Sequence, residues 1–382
     1  MNRMIYFDHN ATTAVAPEVL EAMLPFLTEQ WGNPSSAYWF GHRLMEPLDQ
    51  ARANVAALIG AEARDIVFTS CGTESNNAAI HSALSVQPDK RHVVTTAVEH
   101  SATLKYCAFL EKHGHPVTYL PVNSGGLLDP ADLEQALRPD TAIVSIMWAN
   151  NETGMLFPIR DLASICRNRG VMFHTDAVQA AGKLKINVNE TGVDLLSLSA
   201  HKLYAPKGVG ALYVARGTKF QPYLIGGAQE RGRRGGTENV ANIVAFGRAA
   251  ELALARLARG TEPIGELRDR LEQGILKGIA DTARNGAGTP RLPNTTSISF
   301  GGVEAEGILM LLDQAGICAS SGSACTTGSL DPSHVLLAMG CSAERARGSV
   351  RFSLGWNNTQ SEVDTVLDQL ANIVETLRGA LP

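Results

Sequence analysis

Val193-Asp194-Leu195-Leu196-Ser197-Leu198-Ser199-Ala200-His201-Lys202 decides how this chain is read. Its apolar, branched centre has the length and composition of a buried strand. The turn-rich loop Leu203-Tyr204-Ala205-Pro206-Lys207-Gly208-Val209-Gly210 comes next, and then a second strand at Ala211-Leu212-Tyr213-Val214. A lysine held between a buried strand and a tight loop is partly desolvated, which lowers its pKa and frees the amine as a nucleophile. Ser199 and His201 beside it are short donors suited to a phosphate. A lysine among phosphate donors points to a Schiff base with pyridoxal 5′-phosphate. For these residues alone, a surface lysine after a strand is the alternative.

Working outward, near-continuous apolar strands are predicted at 65–69, 92–98, 116–122, 142–148, 171–176, 193–199 and 210–214. Helices at 74–84, 101–113, 130–137 and 159–169 fill most of the gaps. Repeated strand–helix–strand units with such strands argue an α/β fold, a mostly parallel sheet covered on both faces. Upstream, Pro17 opens a helix with apolar spacing through Leu27, and a longer helix is predicted over 36–58. From Glu238 the character changes to α+β. Helices are predicted at 238–258, 263–279, 305–313, 332–339 and 361–378, with strands at 296–300 and 349–354. The expected division is a large domain over 14–255 and a small one built from 1–13 and 256–382.

Composition narrows the function. The chain has 382 residues, 45% hydrophobic and 19% charged, ordinary values for a folded protein. Its net charge of -5 provides no basic field for nucleic acid. Arg231-Gly232-Arg233-Arg234-Gly235-Gly236 is the one dense positive spot and reads as a local anion or loop site. The six cysteines form no Cys-x-x-Cys pair, which fits a reducing cytoplasm. No run reaches the roughly 20 apolar residues of a membrane span, and no apolar signal core precedes Ile5-Tyr6-Phe7.

In α/β sheets, sites form beyond the carboxyl ends of the strands. After the strand at 65–69 stand Gly72, which permits close backbone approach, and Thr73, at a helix N-terminus that attracts phosphate. His100 follows the next strand, placed to lie over an aromatic ring and to move protons. Asn151, after the strand at 142–148, could bond a carboxylate or a ring hydroxyl. Asp176 ends its strand where a carboxylate keeps a pyridine nitrogen protonated and makes the ring an electron sink. Gln179, one turn on, can reach the ring hydroxyl. Each has a bland counterpart: an N-cap, a turn, a structural histidine. Cys325 sits in Ser320-Ser321-Gly322-Ser323-Ala324-Cys325-Thr326-Thr327-Gly328-Ser329, with no large side chain near it. That setting suits an exposed, mobile nucleophile more than a packed core. Arg351 is either a clamp on a substrate carboxylate or half of a structural ion pair.

The sequence resembles the pyridoxal-phosphate-dependent cysteine desulfurases of the aminotransferase class V fold, in their group I, NifS/IscS-like branch. Matching stretches run from Tyr6-Phe7-Asp8-His9-Asn10-Ala11-Thr12-Thr13 to Arg351-Phe352-Ser353-Leu354-Gly355. The most specific are Ser199-Ala200-His201-Lys202 and Ser321-Gly322-Ser323-Ala324-Cys325-Thr326. The resemblance implies fold type I, with Lys202 as the Schiff-base lysine, Cys325 as the persulfide-forming nucleophile and His100 as a third catalytic group. It implies Gly72, Thr73, Asn151, Asp176, Gln179, Ser199, Ala200 and His201 around the cofactor, with Thr237 joining the phosphate from a partner subunit. Asn151 and Arg351 would take the carboxylate of L-cysteine. Either the amine released from Lys202 or His100 would remove the α-proton. A homodimer, an iron–sulfur scaffold as sulfur acceptor and no resident metal are also implied, Cys325 being at most a transient iron–sulfur ligand. Whether nitrogenase or general cluster assembly is served stays open. The competing readings are an aminotransferase or β-lyase, which needs no loop cysteine, and a degenerate sulfur carrier, which would have lost Lys202 or Asp176.

Overall fold

The computed structural model describes residues 4–321 and 331–379. Thirteen strands are described, in chain order. They are β1 (Ile5–Tyr6), β2 (Ile66–Thr69), β3 (His92–Thr96), β4 (Val117–Leu120), β5 (Thr141–Ser145), β6 (Met172–Asp176) and β7 (Leu195–Ser199). Next come β8 (Gly210–Val214), β9 (Thr282–Arg284), β10 (Thr295–Phe300), β11 (Ile317–Cys318), β12 (Ser320–Ser321) and β13 (Ser349–Ser353).

Seven strands form the main sheet, in the order β2–β8–β7–β6–β5–β3–β4. The pairs from β7 through β6, β5 and β3 to β4 are parallel, while β8 runs antiparallel to both β7 and β2. Two reversals cancel, so β2 points the same way as β7. Six strands therefore point their carboxyl ends to one edge of the sheet, where the five loops after β2, β3, β5, β6 and β7 meet. Strands β2, β3, β5 and β7 are buried at every position, which is why they read as continuous apolar runs rather than alternating ones. One face packs against a large core containing Val94, Phe173, Leu196 and Phe246. The opposite face is closed by the helix Gly72–Ser85, through Ala79, Ile80 and Ala83.

A four-stranded antiparallel sheet, β12–β13–β10–β9, lies over a separate core. That core joins Phe7 near the N-terminus to Ile298, Val350 and Phe352 on the strands. Leu271 and Leu370 enter it from the helices Glu262–Gly278 and Gln360–Gly379. Strand β1 pairs in parallel with β11, and Asp8 bridges to Ser353, so the N-terminal segment runs from this second core to the sheet edge. Leu292, Val335, Leu336 and Met339, though late in sequence, pack into the large core instead.

Two helix predictions fail at prolines. The helix from Pro17 ends at Met23 and restarts as Pro25–Thr28. The predicted 36–58 helix is Trp39–His42 followed by Met45–Leu58, with Pro47 in its first turn. Proline has no N–H for the preceding turn, so it begins a helix more readily than it continues one. Strand β9 and the helix Ala343–Arg347 were not predicted; both are too short to show a period.

Candidate active site

The five loops enclose a cavity of about 240 Å³. Each wall residue is placed by a local device that its own sequence supplies. After β2, the helix Gly72–Ser85 begins with no side chain capping its first turn, leaving its N–H groups toward the cavity beside Thr73. A Cβ at Gly72 would lie 2.9 Å from Val178 Cγ2, so only glycine lets this helix start so close to the β6 loop. After β3, His100 caps the helix Ser101–Lys112, its Nδ1 accepting from the Ala102 N–H at 3.1 Å. That bond assigns the proton of the neutral ring to Nε2.

After β5, Asn150 builds the turn that presents Asn151. Its Oδ1 accepts from the Glu152 and Thr153 N–H groups, and its Nδ2 donates to the Val98 carbonyl. After β6, Asp176 does two things at once. Oδ1 accepts from the Val178 N–H at 2.9 Å, bracing the turn that follows β6 where the sequence suggested a helix cap, and Oδ2 accepts from Asn76 Nδ2 at 2.6 Å. It is 8% exposed and lines the cavity.

After β7, the single turn Ala200–Lys202 lifts His201 and Lys202 into the wall. Tyr204 follows with φ of +66°, an uncommon conformation for a tyrosine, and is held there by its N–H on Thr13 Oγ1 and by its hydroxyl, which accepts from the Trp356 N–H. Lys202 Nζ donates to the carbonyls of Asn10 and Ala11 at 2.5 and 2.6 Å. His201 Nδ1 meets Thr12 Oγ1 at 3.1 Å. Burial, aided by the charge of Lys202, lowers its pKa to about 4, so the ring is neutral at physiological pH.

Arg351 on β13 closes the site from the second sheet. It forms an ion pair with Asp8 at 2.7 Å and donates through Nη1 to the Asn151 carbonyl at 2.9 Å. Its Nε is buried and has no hydrogen-bond partner. The structural ion pair is thus real, and one donor is left over.

Of the residues singled out in the sequence, Gly72, Thr73, His100, Asn151, Asp176, Gln179, Ser199, His201, Lys202 and Arg351 all line this one cavity. Ala200 does not; it is fully buried in the large core beneath. Thr237 lines a separate cavity of about 170 Å³ with Glu230 and Arg234, so a single chain does not bring it to Lys202. Cys325 lies outside the described residues. Sequence reasoning gave no role to Asn76 or to the Asn10 and Ala11 carbonyls. Asn76 was findable: it is four residues beyond Gly72, hence on the same helix face. The carbonyls carry no sequence signal at all. Among the described residues no cluster of His, Cys, Asp and Glu could hold a metal ion, the five cysteines are free, and no helix is long and apolar enough to cross a membrane.

The donor set suits a phosphorylated pyridine aldehyde: free helix N–H groups and hydroxyls for a phosphate, a carboxylate for a ring nitrogen, an amine for an aldehyde. Comparisons agree. Residues 5–366 match the model of the family described as aminotransferase class-V. Cysteine desulfurase 2 of Trichormus variabilis is 55% identical over 379 residues, 99% of this chain and 95% of that one. Cysteine desulfurase NifS of Azotobacter vinelandii is 51% identical, over 99% and 94%. A solved structure titled NifS-like protein superposes with a TM-score of 0.91 at 38% identity, covering 98% of this chain and all of the other.

Proposed function

The chain belongs to the aminotransferase class-V family, and within it to the pyridoxal-phosphate-dependent cysteine desulfurases; on that footing we propose that Lys202, His100, Asp176, Arg351 and Cys325 carry the conversion of L-cysteine to L-alanine. The observation that carries the residue assignment is the meeting of amine, carboxylate and helix N-terminus in one cavity. Bound pyridoxal 5′-phosphate supplies an electrophilic carbon and an electron sink.

The protein's part follows from its atoms. The N–H groups at the start of Gly72–Ser85, with Thr73, Ser199 and His201, hold the phosphate. Asp176, braced by Asn76 and the Val178 N–H, keeps the ring nitrogen protonated. Lys202 leaves its two carbonyls to hold the cofactor, and its amine, once released, takes the α-proton. His100 does not act as that base in this tautomer: Nδ1 is committed to Ala102, and Nε2 carries the proton it would give. The substrate carboxylate takes the unpaired Nε of Arg351, which needs an acceptor in any case.

The Cys325 thiolate attacks the substrate sulfur. The C–S electron pair stays on carbon, which is protonated on the way to alanine, and the sulfur remains on Cys325 as a persulfide. Cys325 follows Ser320 by five residues along the chain, and Ser320 pairs with Arg351 of the cavity wall. We propose Thr237 as a phosphate donor to the neighbouring protomer of a dimer. The two hydrophobic cores support the proposed division into large and small domains. An iron–sulfur scaffold in the cytoplasm is the proposed acceptor.

Purified protein given L-cysteine and a thiol reductant releases sulfide and alanine in equal amounts. Lys202→Ala and Cys325→Ser each stop alanine release, while Cys325→Ser still binds pyridoxal 5′-phosphate. Alanine release by Cys325→Ser would overturn the role given to the thiol.

A further inference from the structure

Lys183 is a buried cation outside the machinery described above. Its residue is 8% exposed, and no carboxylate among the described residues lies within ion-pair distance. Nζ donates to the Gln179 backbone carbonyl at 3.0 Å and to Gln179 Oε1 at 2.9 Å. An ammonium left without a counter-charge in the interior is costly. Burial, then the charges of Lys202 and Arg351, lowers its pKa to about 7.

What the amine does to Gln179 follows from the donor inventory. A glutamine amide has a donor end and an acceptor end of nearly equal shape, and here two neighbours choose between them, the acceptor-only Asn10 carbonyl on one side and the Lys183 amine on the other. The Lys183 amine donates both to the Gln179 backbone carbonyl and to Oε1, so Oε1 faces Lys183. Nε2 is then turned to the other side, where it donates to the Asn10 carbonyl at 2.9 Å. Lys202 Nζ bonds that same carbonyl. The four groups form one chain: Lys183, the Gln179 amide, the Asn10 carbonyl and Lys202. Nε2 keeps a second hydrogen that Asn10 does not use, and Gln179 lines the cavity. Lys183 and Lys202 also share the wall of a smaller cavity of about 20 Å³ behind the site.

We propose that Lys183 is a positioning residue: it fixes the Gln179 amide with its nitrogen toward the cofactor cavity, so that the site offers a hydrogen-bond donor, never an acceptor, to an oxygen on the cofactor ring. The proposal rests on the cofactor reading above. It deepens that reading by naming what makes the pocket select a ring bearing a hydroxyl.

The test needs no turnover. Apoprotein is titrated with pyridoxal 5′-phosphate and with its analogue lacking the ring 3-hydroxyl, for wild type, Lys183→Met and Lys183→Gln. Wild type prefers the hydroxylated compound by about tenfold, the worth of one hydrogen bond to a polar group. Lys183→Met removes one of the two groups that set the amide, leaving only the Asn10 carbonyl, and weakens that preference while holding the analogue as tightly as wild type. Lys183→Gln, which can still donate to Oε1, keeps part of it. An undiminished preference in Lys183→Met overturns the proposal. So does an equal loss for both compounds, which would make Lys183 a packing residue only. Wild-type apoprotein that binds neither compound would overturn the cofactor reading, and this proposal with it.

Discussion

Asp176→Asn separates a structural role from a catalytic one, because the structure allows the fold to survive the change. The asparagine keeps Oδ1 for the Val178 N–H, so the turn after β6 is retained. Its new amide would face Asn76 Nδ2, donor against donor, where the carboxylate now accepts at 2.6 Å. Asn76 has a remedy: its Oδ1 is buried without a partner, and a flip of that amide brings the oxygen to the new donor. The exchange replaces a hydrogen bond to a charged group, about 1.5–3 kcal/mol, with a neutral one of about 0.5–1.5, a loss near 1 kcal/mol. Chemistry has no such remedy, since a neutral amide cannot hold the ring nitrogen protonated. Removing preorganised electrostatics of this kind slows a reaction by roughly 10²–10³. The assays are urea denaturation of the apoprotein and the rate of alanine release from cysteine at saturation. A variant with turnover within about threefold of wild type would reduce Asp176 to a brace for the turn after β6. A rate loss accompanied by several kcal/mol of lost stability would mean that the amide flip does not occur and that the two roles cannot be separated.

Two further outcomes can be checked directly. If Thr237 serves the neighbouring protomer, then mixing inactive Thr237→Ala with inactive Lys202→Ala subunits restores part of the activity through hybrid dimers. Hybrids that form and stay inactive would show that each chain completes its own site. Glu99, fully buried beside His100, has its carboxyl pushed up to about 8 by burial. Its folded pKa exceeds the unfolded 4.5, so its contribution is fully present below about pH 4.5 and is lost as pH rises through 8, by at most about 1.4 kcal/mol per pH unit. Glu99→Gln keeps an acceptor for the Met147 N–H and the Thr96 hydroxyl, and its denaturation midpoint should decline less than that of wild type between pH 6 and 8. Parallel profiles would place the titration on another group.

What the sequence determined by itself was the class of the fold and the address of the site. Strands buried on both faces cannot alternate, so their apolar runs announce a helix-covered sheet, and polar residues just past each run mark its functional edge. Lys202, Asp176 and His100 were legible on that rule because each stands within four residues of a strand's end. Tertiary structure alone decided which strand ends meet. The order β2–β8–β7–β6–β5–β3–β4 has no local signature, yet the insertion of β8 is what points β2 and its helix the same way as β7. It also decided the atoms that carry no residue code. The Asn10 carbonyl is shared by Lys202 and Gln179, 192 and 169 residues away in the chain. Lys183 carries no signal in the sequence that sets it apart, and only burial beside Gln179 gives it a place near the site. A hydrogen bond depends on where two groups are brought, and over such separations only the folded core brings them there.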